Sequence, residues 1–295
     1  MKKTVKILSV ILAVAVVIGC FAACGKKDSN NDDNGTKAPV AVKGAKVIDV
    51  KLTEEQYAFG VDKNQPELLK AVNDYLAEIK ANGEFDAIIN KYFGDGEPTA
   101  VESAKLDSSK DQLIVATAAD FPPFEYTAGE KFLGVDMEIA AGLAKKLGKE
   151  LVIQNMNFDS VCTSVQQHKC DVAMAGLSIN EERKAMLDFA TPYYEASQML
   201  IVPMSETKFD ECKTGDEVLA ILQGLDKSSS IAFQSGTTGQ LYTENTDDYE
   251  ENALKVEAKG FDNAAQAVQD MLNGNTTYVI TDEVPAKNIA KQING

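Results

Sequence analysis

The chain has 295 residues, 44% of them hydrophobic and 25% charged, with no Trp, a single His and a formal net charge of −16. That length suits one large domain or two lobes, because single cores stop growing at roughly 250–300 residues. The negative balance argues against nucleic acid as a partner: a phosphate backbone is held by clustered Lys and Arg, and none cluster outside the first few residues.

The chain opens with Lys2, Lys3 and Lys6, then an apolar run from Ile7 to Gly19, then small residues and cysteines. This run is too short and too early for an ordinary spanning helix of about 20 residues, so it reads as a secretory signal, residues 1–23. Cys20 follows "VIG" and Cys24 follows "FAA". Cys24 is the preferred lipidation site because Gly25 and polar residues come next, with Cys20 as the alternative. The polar stretch 24–44 then serves as a tether, and a thioether lipid on the new N-terminal Cys holds the protein on the outer face of a membrane. Export frames the other cysteines. Cys162 and Cys170 are candidates for a disulfide, two buried free thiols being the alternative, and Cys212 has no obvious partner.

"KVIDVKL" and "YAFGVDK" read as short strands. Pro66 opens a helix whose Leu69, Val72, Leu76 and Ile79 recur every three or four residues, Gly83 ends it, and Phe85, Ile88, Ile89 and Tyr92 mark a second short helix. Residues 95–112 are polar and aperiodic, a linker. Strand and helix then alternate: "QLIVATA", "GVDMEIAAGLAKKLG", "LVIQNM", "FDSVCTSVQQ", "CDVAMAGLS", "NEERKAML", "SQMLIVP". A second series runs from "GDEVLAILQGL" through "SSIAFQSG", a helix from Thr237, "ALKVEAK", "NAAQAVQDMLNG" and "TTYVITD" to "EVPAKNIAKQ". Alternation implies parallel strands with crossover helices. Two α/β units joined near Pro203 to Lys208 leave a cleft, a preferred place for a ligand.

No GxSxG, HExxH, glycine-rich phosphate loop or metal-spaced cysteine set occurs, and His168 reads as a solvated helix-end residue. No metal or cofactor is implied. Binding has better candidates. In "MAGLSINEERK" a strand ends at Ala175 and Gly176, and Ser178 and Asn180 precede a helix carrying Arg183 in its first turn, an arrangement suited to a small carboxylate. The alternative is that Asn180 merely caps the helix while Arg183 pairs with Glu181 or a neighbour. "FQSGTTG" presents Gln234, Ser235, Gly236, Thr237 and Thr238 at a second strand end, and Asp282 stands just past a third, as either a partner for a ligand cation or an N-cap. Phe121 and Phe124 flank a Pro-Pro turn as core or as cleft walls. A carboxylate site on one lobe and an ammonium site on the other together describe an α-amino acid.

The segments "VATAADFPPFEY", "FLGVDMEIAAGLAKKLG", "MNFDSV", "CDVAMAGLSINEERKAMLDFATPYY", "FQSGTTG" and "YVITDEVPA" closely resemble successive motifs of extracellular solute-binding proteins family 3, the polar amino-acid receptors of ABC importers, from about Lys46 to Gly295. The resemblance implies a periplasmic-binding-protein type II-like α/β fold, two lobes hinged by two crossing strands. It implies that Arg183 takes the ligand carboxylate with amides near Gly176, Ser178 and Thr238. Asp282 takes the ammonium with the Ala175 carbonyl and the Ser178 hydroxyl, and Phe121 and Phe158 sandwich the ligand. Ala118 stands where basic-amino-acid and glutamine binders of this kind place an aspartate, and Gln234 stands where a lysine occurs. An uncharged polar or aliphatic side chain is therefore expected, although Asp120 offers a replacement acid. Partners implied are a free amino acid, an ABC transporter permease and the membrane through the N-terminal lipid, with the protein a monomer and not an enzyme. Rival readings are a dehydratase on the same scaffold, with Glu125 or Asp120 as its acid, and a ligand-presenting sensor module.

Segment order departs from the family. The strand, the hinge crossing and the helical pair "PELLKAVNDYLAEIKANGEFDAIINKYFG" come last there and first here, the pattern of a circular permutation. On this reading residues 45–52 are an edge strand of the second lobe, and 53–94 hold a hinge strand and the terminal helices of the first. Residues 95–112 rejoin the ends, 113–203 form the first-lobe core and 204–295 the second. At about 3.3 Å per residue the linker spans up to roughly 60 Å, enough to dock within the same molecule; the alternative is a swap into a neighbouring molecule, which a shorter linker would favour.

Overall fold

A computed structural model describes residues 41–295. The leader, Cys20, Cys24 and most of the tether lie outside the described residues. Two five-stranded sheets dominate. The first, in spatial order Leu187–Phe189, Gly60–Asp62, Val172–Ala173, Gln112–Thr117 and Glu150–Asn155, belongs to the lobe that carries Arg183. The second runs Ala45–Val47, Gln198–Pro203, Tyr278–Asp282, Ser230–Gln234, Glu257–Phe261. Between them Glu55–Tyr57 and Tyr194–Ala196 pair antiparallel as a two-stranded ribbon, and it is here that the chain passes from one lobe to the other.

The junction between lobes is therefore at Ala196–Gln198, not near Pro203 to Lys208. The strand Gln198–Pro203, apolar from Met199 on, pairs with Tyr278–Asp282 and is buried along its length save its last residue. Such a run fits a central strand of either sheet, so its composition does not say which one it joins. Nor is either sheet wholly parallel. The alternating βα series builds parallel centres, Gln112–Thr117 with Glu150–Asn155 and Ser230–Gln234 with Glu257–Phe261. The strands flanking the crossings, Gly60–Asp62 and Leu187–Phe189 in one lobe and Ala45–Val47 and Gln198–Pro203 in the other, are antiparallel because the chain enters each sheet from the hinge side.

The N-terminal helical pair completes the first lobe. Pro66–Asn82 ends at Gly83, whose φ of 82° no side-chain-bearing residue adopts readily, and Glu84–Phe93 follows. Val72, Tyr75, Leu76, Ile79 and Ile88 share one core with Leu113, Val115, Met137 and Leu143 from beyond the linker. The helix Val135–Leu147 approaches closely at Gly142, where a Cβ would lie 1.8 Å from the Tyr75 hydroxyl. Residues 95–112 are polar but not free-standing. Val101 exchanges backbone hydrogen bonds with Phe132 at 2.8 and 3.0 Å, Ala104 donates to Leu151, and Glu138 gathers the Tyr92 hydroxyl and the Thr99 amide. The linker thus lies along the lobe whose helices precede it.

Cys162 and Cys170 stand as free thiols packed in one apolar cluster, not as a disulfide. Burial raises both thiol pKa values, which keeps them protonated. His168 is largely exposed, as expected, and sits against Asp62. No helix among the described residues is long and apolar enough to cross a membrane, and they hold no cluster of metal-ligating side chains.

Candidate functional site

Arg183 reaches the interlobe cleft from a short helix, Glu181–Met186. Asn180 starts that helix by accepting from the Arg183 amide at 2.8 Å, so the cap expected of Asn180 is present. The pairing offered as the bland account of Arg183 is not: Glu181 takes Lys184 instead. Arg183 is only 4% exposed; its guanidinium donates to the carbonyls of Ser178 (2.6 Å) and Gly236 (2.9 Å), and lies 5.2 Å from the centre of the Phe158 ring. No carboxylate among the described residues comes within 4.0 Å of it. A buried cation satisfied by neutral acceptors alone is electrostatically incomplete.

Opposite, Asp282 ends the strand Tyr278–Asp282 and precedes the helix Glu283–Asn294 without capping it through its side chain. Instead its carboxylate accepts the Tyr57 hydroxyl at 2.5 Å. Burial first, and the neighbouring Glu55 carboxylate second, push the Asp282 pKa up to about 7, against the opposing hydrogen bond from Tyr57. The Tyr57 hydroxyl is pushed well above its usual value by burial and by Asp282, so it stays a donor.

One narrow cavity brings together Phe121, Phe158, Gly176, Ser178, Arg183, Gln234, Thr237, Thr238 and Asp282, with Ala118 and Asp120 beside them. Of the residues expected from sequence, Ala175 is buried two residues past the strand Val172–Ala173, which ends earlier than expected, and does not line the cavity. Gly176 does, yet its amide donates to Asp136 at 3.0 Å and so is already engaged rather than offered to a ligand. Asp136 is itself fully buried, accepts the Tyr193 hydroxyl at 2.6 Å, and has its pKa pushed to about 7 by burial. Thr237 donates its hydroxyl to the Gln234 carbonyl at 2.7 Å. Phe124 is core rather than cleft wall, edge-on to Tyr57 at 5.2 Å.

Sequence reasoning missed Glu55 and Tyr57. Both lie on the crossing strand, and their alternation about exposed Gln56 was the one available signal. Asp120 lies at the exposed rim of the cavity. Its pKa is pushed up to about 6 by partial desolvation and by Asp262 of the facing lobe. Glu125 is fully buried, has no hydrogen-bond partner for either oxygen, and does not line the cavity, so it is no cleft acid.

The profile of the bacterial extracellular solute-binding proteins, family 3, matches residues 11–95 and 113–285. The chain belongs to that family. The chain is 40% identical over 95 residues to the arginine-binding extracellular protein ArtP of Bacillus subtilis (strain 168), covering 32% of this chain and 37% of the relative. To ABC transporter arginine-binding protein 1 of Escherichia coli (strain K12) it is 30% identical over 176 residues, 59% of this chain and 65% of that one. The chain thus spans less than two thirds of these relatives' length. Among solved structures it resembles an ancestral arginine-binding protein bound to arginine, with a TM-score of 0.53 and 32% identity over 63% of this chain and 76% of that one. It also resembles the ancestral amino acid-binding protein AncCDT-1, a precursor of cyclohexadienyl dehydratase, with a TM-score of 0.52 and 28% identity over 62% of this chain and 74% of that one.

Proposed function

We propose that the protein is an extracytoplasmic receptor that captures one free α-amino acid between its lobes and delivers it to an ABC permease. The observation that carries this reading is Arg183, a buried cation without an acid partner, facing a cavity whose far wall holds Asp282. The ligand carboxylate sits on Arg183 and its ammonium on Asp282, while Phe121 and Phe158 enclose the body. Because the two charges lie in different lobes, only the closed arrangement satisfies both, and ligand shifts the population toward closure. Glu125 offers nothing to a dehydratase, being sealed away from the cavity. A thioether lipid on Cys24, or on Cys20, anchors the receptor to the outer face of the cell membrane, and it acts as a monomer.

The side chain recognised is uncharged, polar or aliphatic, because Ala118 and Gln234 bring no charge to the cavity. A basic side chain is the second reading. It is favoured by Asp120 at the cavity rim and by the arginine-binding names of the relatives. Melting-temperature shifts with each of the twenty L-amino acids test both, since a ligand bound only by the folded state raises Tm. A shift with a neutral amino acid supports the first reading. A shift with arginine or lysine that Asp120→Asn abolishes supports the second, and no shift with any amino acid refutes the proposal.

We further propose that the chain is a circular permutant tied through residues 95–112. The two family-matched stretches flank this segment, and the relatives and solved structures named above each align with 63% of the chain or less. A rearranged chain running 113–295 and then 45–94 should fold and bind as the natural order does; failure to fold contradicts the permutation.

A further inference from the structure

The reading above gives Glu55 no role, yet this residue is only 8% exposed and its carboxylate collects three hydroxyl protons. Thr53 Oγ1 donates to Oε1 at 2.5 Å, Thr238 Oγ1 donates to Oε2 at 2.9 Å, and Ser178 Oγ donates to the same Oε2. The donors converge from both lobes: Ser178 follows the first sheet, Thr238 the second, and Glu55 itself lies on the crossing strand. Ser178 and Thr238 line the cavity, whereas Glu55 does not, so the carboxylate stands behind the two hydroxyls.

A hydroxyl has one proton to donate and two lone pairs to accept with. With their protons committed to Glu55, Ser178 and Thr238 have only lone pairs left for a ligand. Asp282 beside them accepts as well. We infer that Glu55 is a positioning residue that makes the subsite around Asp282 acceptor-only, so that it takes a donor-rich ammonium and rejects the 2-hydroxy acid of the same side chain. The inference rests on the amino-acid reading above and deepens it. A hydroxyl substituent brings one donor and unsatisfied lone pairs to this corner, where an ammonium brings three donors.

The test is calorimetric titration of the full chain with the L-amino acid giving the largest melting shift and with its (S)-2-hydroxy counterpart. The readout is the ratio of the two Kd values. Glu55→Ala frees both hydroxyls and should reduce the preference for the amino acid at least about fivefold. Glu55→Gln keeps an acceptor oxygen and should hold the wild-type ratio within about that margin. A purely structural role would weaken both ligands together and leave the ratio unchanged, and that result overturns the inference. Equal losses in Glu55→Gln and Glu55→Ala also overturn it, because charge rather than hydroxyl orientation would then set the preference. If Glu55→Ala does not fold, Thr238→Val removes one oriented hydroxyl and is judged by the same margin. Wild-type protein that binds no amino acid defeats the amino-acid reading itself, which distinguishes that failure from one confined to Glu55.

Discussion

Tyr57 and Asp282 stand 225 positions apart in the chain, yet the Tyr57 hydroxyl donates to the Asp282 carboxylate at 2.5 Å. One comes from the N-terminal crossing strand and the other from the end of a strand near the C-terminus. The segment that precedes the linker therefore contributes directly to the site, through the same strand that joins the lobes.

Replacing Tyr57 with Phe removes this donor and leaves a buried carboxylate poorer by one hydrogen bond. Ligand affinity should fall about tenfold. The Asp282 carboxyl should also titrate higher, because a hydrogen bond that favours its charged form is gone. Calorimetry across pH measures both; unchanged affinity at every pH contradicts the assigned role.

The raised pKa of Asp282, about 7, gives binding a pH dependence. A ligand ammonium requires the ionised carboxylate, so binding below pH 7 must expel a proton, and affinity should decline by up to about tenfold per pH unit. Proton release at pH 6, measured in buffers of different ionisation enthalpy, checks the sign. Stability of the empty protein moves oppositely. Asp282 and Asp136 hold protons in the folded state at pH values where the unfolded chain, with an ordinary value of 3.8, has already lost them. Their contribution is thus most favourable below about pH 4 and is lost progressively as pH rises toward 7.

Gly236 has a φ of 78°, and a Cβ there would lie 2.8 Å from the Asp159 Cα of the opposite lobe. Its carbonyl also accepts from Arg183 across the cleft. Gly236→Ala combines backbone strain of about 1 kcal/mol or more with a direct obstacle to closure. Affinity should drop at least about tenfold, while the melting temperature of the empty protein changes by only a few degrees. A loss of stability without loss of affinity would separate Gly236 from closure.

Ile79 is fully buried in the core that the N-terminal helices share with strands beyond the linker. Ile79→Ala should cost about 2–5 kcal/mol in denaturant unfolding. Deletion of residues 45–94 should abolish folding, and a deletion product with a cooperative unfolding transition would show that this segment is dispensable.

Much of this architecture was legible. The stripe of Val72, Leu76 and Ile79, the stop at Gly83 and the Asn180 cap before Arg183 are local signals, and local geometry obeys them. What escaped depends on contacts distant in sequence. Glu55 and Tyr57 sit on a three-residue strand whose single alternation about Gln56 is a weak signal, and they reach the site only because that strand crosses between lobes. The Gly176 amide seemed open because its captor, Asp136, begins a helix forty residues earlier. Met199–Val202, the body of the strand Gln198–Pro203, is apolar and buried, so nothing in it distinguished the two sheets.

The central claim is that Arg183 and Asp282 hold the two charged ends of a free amino acid. It is tested most directly by calorimetric titration of wild-type protein and of Arg183→Ala with the best-binding L-amino acid. The account predicts one-to-one binding by the wild type and a loss of at least about 100-fold in Arg183→Ala, since removing the guanidinium leaves the ligand carboxylate buried without a counter-charge. Equal affinity of the two proteins would contradict it.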